Sequence, residues 1–190
     1  MKDLRQLLEE LLQGRVRLMG LGNVDYGDDG FGVRLAEELL ASGVPEVIVA
    51  GTTPDRYIGG AADEGFDRLI FLDAVDFGAA PGSVVFLDAR EISTRYPQVS
   101  THKISLGVLA RWIEASGKTR VLLIGVQPES MKVGQELTPT MYATLGILRD
   151  LLFEVMTGAS FAAANRGRYP SEDPRDDSKA PSRETETTVC

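Results

Sequence analysis

Histidine and cysteine occur once each in 190 residues, as His102 and Cys190. One cysteine excludes an intrachain disulfide and any cysteine-based metal cluster. One histidine excludes every site that draws two imidazoles from a single chain, the His-Glu-x-x-His peptidases among them. Cations are also few: 20 Lys and Arg stand against 28 Asp and Glu, a formal charge of −8. That balance argues against a nucleic-acid protein, which needs clustered Lys and Arg to displace counterions. No stretch approaches the roughly 20 apolar residues of a bilayer-spanning helix. The opening MKDLRQLLEELLQG is broken by charges of both signs, unlike a secretory signal. The expectation is a cytoplasmic protein with no nucleic-acid partner and no membrane insertion. If it is an enzyme, it works with carboxylates and at most one imidazole.

Composition shifts near Asn165. From there to Cys190 the only aliphatic side chain beyond alanine is Val189, amid three prolines and nearly balanced charge. Such a segment buries too little apolar area to offset its ordering entropy, so a disordered tail is expected over 165–190. Nearly all the negative charge therefore belongs to the body. Leu4, Leu7, Leu8, Leu11 and Leu12 recur at helical spacing up to Gly14, predicting an N-terminal helix over 1–14. Between 15 and 164, apolar strand patterns near 16–21, 47–49, 69–75, 83–87 and 121–126 alternate with helical ones. The last helix is expected to open at Thr138-Pro139-Thr140 and run to about Ala164. This alternation predicts a three-layer α/β/α domain around a twisted, mostly parallel sheet. In such a domain ligands bind beyond the carboxyl ends of the strands.

Three polar features sit just past the expected strands or at helix starts. Asp28-Asp29, in GLGNVDYGDDGFG, either cap the following helix or face a ligand. Neither glycine pattern usual for phosphate is present there. Asp73 closes the strand LIFLDAV and either bonds loop amides or does chemistry, with Asp76 beyond it in water. His102, just before a helix, is either merely exposed or serves as a ligand or acid–base group. Together these loops offer one imidazole and two or three carboxylates, a set that suits a divalent ion such as Ni²⁺ or Zn²⁺.

At these residues the chain resembles the [NiFe] hydrogenase maturation proteases, which trim the C-terminus of the hydrogenase large subunit. The resemblance is carried by Gly20-Leu-Gly-Asn23, Asp28-Asp29-Gly30-Phe-Gly32, Leu72-Asp73-Ala74 and Ser100-x-His102. Gly125-Val-Gln-Pro128-Glu129-Ser130 and Leu137-Thr138-Pro139-Thr140 complete it, in the family's order, over roughly 15–155. It implies a phosphorylase/hydrolase-like fold and a peptidase of aspartyl type. It also implies a site for a divalent metal at Asp29, Asp73 and His102, which senses nickel already installed in the large-subunit precursor. Zn²⁺ or Cd²⁺ could occupy the same ligands. One departure stands out: Val49 precedes Ala50-Gly51-Thr52-Thr53-Pro54, where many relatives carry an acid.

The residues narrow the chemistry. Cys190 sits in the expected tail, and no G-x-S-x-G elbow occurs. Peptide hydrolysis would then use water, activated by a carboxylate or a bound metal. Two other readings compete. A non-catalytic nickel-sensing chaperone of the large subunit would use the same ligands. A peptidyl-tRNA hydrolase shares the GLGN opening, but it needs a histidine soon after that motif and a basic surface, and this chain has neither.

Overall fold

The computed structural model describes residues 2–57, 59, 65–95 and 105–164. The segment 165–190, expected to be a disordered tail, lies outside the described residues. Five strands form one sheet: Val16–Leu21 (β1), Val47–Gly51 (β2), Arg68–Ala74 (β3), Val84–Asp88 (β4) and Arg120–Val126 (β5). Their order is β2-β1-β3-β5-β4. All neighbours run parallel except β4, which returns antiparallel to β5. The near-continuous apolar runs of β1, β3 and β5 match strands covered on both faces.

Successive side chains of β3 point to opposite faces and so divide the core. Ile70 and Leu72 join the cluster under Leu4–Leu11 (α1), Phe31–Ala41 (α2) and Pro139–Thr157 (α5). Leu69 and Phe71 join the cluster under Ala89–Arg95 (α3) and Leu106–Ser116 (α4). Helices therefore cover both faces, giving the three-layer arrangement. A capping box starts α1: the Gln6 amide donates to Asp3 Oδ1 at 2.8 Å and the Asp3 amide to Gln6 Oε1 at 3.2 Å. Among the described residues no helix is long and apolar enough to cross a membrane.

The last long helix departs from expectation. It ends at Thr157, where Gly158 takes a left-handed φ of 69° and its amide closes on Glu154 O at 2.9 Å. The chain restarts as the short helix Phe161–Ala164 (α6), and Phe161 meets Phe153 edge to face at 5.2 Å. Apolar periodicity runs across the break because both pieces face the same core.

Glycines set how closely α2 approaches the strand ends. A Cβ on Gly32 would lie 1.9 Å from Leu72 O and 2.6 Å from Leu21 O, both backbone atoms. The contact draws the start of α2 onto the ends of β1 and β3, next to Asp73. Gly32→Ala should therefore cost at least about 2 kcal/mol, since no flexible side chain can yield. The check is a lower urea midpoint with an unchanged slope.

Candidate active site

Parallel strands β1 and β3 end side by side, and the site begins where they stop. Asp73 is the penultimate residue of β3, paired with Gly125 of β5, and only 4% exposed. Its Oδ1 accepts from the Ala74 amide at 2.9 Å. Asp29 lies in the 3₁₀ segment Val24–Gly30 between β1 and α2, also 4% exposed. Its Oδ2 accepts from the Asn23 amide at 2.9 Å. Gly22 is the point where the two aspartates converge. With φ at +115°, it leaves room that a Cβ would lose, 1.8 Å from Asp29 O and 3.6 Å from Asp73 Oδ1.

Two carboxylates this deep and this close repel each other. Burial first, and then the charge of Asp29, push the Asp73 carboxyl well above the ordinary carboxylate range, while the Ala74 amide works the other way. A pair of buried acids at the carboxyl ends of parallel strands departs from plain core packing and is a feature of functional sites.

Asp28 is a different case, although it is the adjacent residue. It is wholly buried, and its Oδ2 accepts from the amides of Glu129 and Ser130 at 2.9 and 2.8 Å. Its Oδ1 accepts from the Thr138 amide at 2.7 Å, and Thr138 Oγ1 donates to Oδ2 at 3.2 Å. Neither aspartate caps α2, whose N-cap is Gly30 without a side-chain bond. The capping alternative is thereby corrected: Asp28 ties the loop after β5 to the segment carrying Asp29, and Asp29 turns towards Asp73. Thr138 likewise gives its hydroxyl to Asp28 and makes no cap bond to α5.

Gln127 orders the neighbouring loop. Its Oε1 accepts from the amides of Phe77 and Ala79 at 2.9 and 3.2 Å, and its Nε2 donates to Asp76 Oδ1 at 3.1 Å. Asp76 itself is exposed, as expected. The sequence signalled Asp28, Gln127 and Thr138 only as members of motif blocks. Their roles depend on partners as many as 110 residues away in the chain.

The structure thus brings Asp29 and Asp73 together. His102, the third expected ligand, lies outside the described residues. Among the described residues no three His, Cys, Asp or Glu side chains gather to hold a metal. Two buried acids can share a cation or a proton, and oxygen donors of this kind accept a divalent ion with further ligands supplied from elsewhere.

A family model described as hydrogenase maturation protease matches residues 33–149. The Hydrogenase 2 maturation protease of Escherichia coli K12 is 30% identical over 139 residues, covering 69% of this chain and 84% of that protein. The solved [NiFe] hydrogenase maturation protease HycI from Thermococcus kodakarensis KOD1 superposes with a TM-score of 0.71 at 31% identity. That alignment covers 79% of this chain and 98% of that one. The hydrogenase maturating endopeptidase HybD of E. coli follows at a TM-score of 0.61 and 28% identity, over 80% and 93% of the two chains.

Proposed function

The chain belongs to the hydrogenase maturation protease family, and from that premise we propose that it removes a C-terminal extension from a [NiFe] hydrogenase large-subunit precursor after nickel insertion. The observation that carries this reading is the convergence of Asp29 and Asp73, two buried carboxylates whose mutual repulsion a cation would relieve. Nickel arrives as part of the substrate. Asp29, Asp73 and His102 bind it there, which places the scissile bond against the strand ends. The burial of Asp29 and Asp73 strengthens their attraction to a cation relative to water.

Hydrolysis adds water across the peptide bond: hydroxyl goes to the carbonyl carbon, the C–N bond breaks, and the departing amine takes the proton. The part played by this chain is to bind and orient, and much of the barrier to peptide hydrolysis can be met by such positioning. Borrowing the cation from the substrate makes the enzyme selective, because a nickel-free precursor lacks the anchoring contact. Asp29→Ala, Asp73→Ala and His102→Ala should each abolish processing of the nickel-loaded precursor while keeping the circular dichroism of the parent. Full activity in all three would remove the assignment.

A further inference from the structure

Beside the carboxylate pair stand four large apolar side chains in solvent: Val24, Tyr26, Met131 and Val133, exposed by 38, 44, 40 and 71%. Exposed apolar residues are ordinary when scattered, but these four sit on two segments laced together by the backbone. The Asp28 amide donates to Ser130 O at 2.9 Å and the Gly134 amide to Asp25 O at 2.8 Å. Asp28 adds the bonds to Glu129, Ser130 and Thr138 described above. The segments touch at Gly27, where a Cβ would be 2.9 Å from Ser130 O. The result is a lip whose backbone is already ordered, so covering it costs little loop entropy. It runs directly into Asp29.

We propose that this lip is the docking surface for the stretch of the protein substrate that adjoins the scissile bond, an extended segment with apolar side chains and net positive charge. The proposal rests on the peptidase reading above and adds to it the surface that selects the substrate chain. Charge decides the occupant. Within the two segments of the lip, 23–30 and 129–134, the exposed charged residues are the carboxylates Asp25 and Glu129 and the cation Lys132, a net negative balance. An acidic partner is repelled, and a second copy of this chain would set the same acids against themselves across a two-fold contact. An apolar, basic segment meets both the side chains and the charge. Continuity with Asp29 then carries that segment to the paired carboxylates.

The test is the triple variant Tyr26→Ser, Met131→Ser, Val133→Ser, set beside Leu40→Ser, Ile147→Ser, which removes exposed apolar side chains from α2 and α5. Affinity for the nickel-loaded large-subunit precursor is measured directly, together with kcat and KM for its cleavage. The triple variant should bind at least about tenfold more weakly, with the loss in kcat/KM carried by KM, as expected for lost apolar burial that ground and transition states share. The α2/α5 variant should match the parent. Unchanged affinity in the triple variant overturns the lip, as does a dimer of the parent that the triple variant dissociates without loss of affinity for the precursor. If the parent binds and never cleaves, yet the triple variant binds more weakly, the lip stands and the peptidase reading fails.

Discussion

Asp73→Asn should yield a protein more stable than the parent at neutral pH and at least about 100-fold slower in processing. The two effects share one cause. In the folded protein, burial and Asp29 hold the Asp73 carboxyl well above its ordinary range. In the unfolded chain it titrates near ~3.9. Between those values the folded state keeps a proton that the unfolded state has released, so stability falls as pH rises through the window. The penalty is absent below ~3.9 and complete above the folded value. Asparagine carries no charge to penalise, and its oxygen can still accept the Ala74 amide. Urea unfolding in metal-free buffer should therefore show the smallest difference near pH 4 and a gain of about 1–2 kcal/mol for the variant at pH 8. A variant less stable than the parent at pH 8 would mean that Asp73 is a structural acid. The lost processing follows because the amide cannot supply the negative charge that draws a cation to the pair.

Asp28→Ala should do the reverse, with a loss of stability larger than any effect on the charge of the site. One buried carboxylate accepts three amides and a hydroxyl that join the Val24–Gly30 segment to the loop between β5 and α5. Bonds to a charged acceptor contribute about 1.5–3 kcal/mol each and are not additive when shared. Removing the acceptor also leaves part-buried amides without a partner. A fall of about 3–5 kcal/mol in unfolding free energy is expected, measured by the urea midpoint. Asp28→Asn should lose less, since its oxygen can serve either the Glu129 and Ser130 amides or the Thr138 amide but not both sets. Equal losses for alanine and asparagine would show that the carboxylate geometry is immaterial.

Asp28 and its neighbour Asp29 show what the sequence could and could not reveal. The alternation of strands and helices was legible because buried strands and amphipathic helices have distinct periods, and it placed Asp73 at a strand end and Asp29 between a strand and its helix. The order of the sheet, with β3 central and β4 reversed, was not legible, because it depends on pairings between distant segments. Asp28 and Asp29 look alike in one dimension, both acids in a glycine-rich turn. Their roles separate only when the Gln127–Thr138 stretch folds back, presenting backbone amides to one and leaving the other facing Asp73. The glycines of GLGN and DDGFG follow the same logic. Gly22 and Gly32 are required by backbone atoms of Asp29 and Leu72 that lie near them only in the fold. The end of α5 escaped detection for a simpler reason: Phe161 continues the apolar face after Gly158 has already stopped the helix.

The role assigned to substrate-borne nickel is tested most directly by mass. Purified protein is incubated with the hydrogenase large-subunit precursor in nickel-loaded and nickel-free forms, and intact masses are compared over time. Loss of a C-terminal peptide from the loaded form alone is the predicted result. Cleavage of both forms at the same rate would contradict it, and stable binding of the loaded form with no change in mass would point instead to a chaperone that senses nickel without cutting.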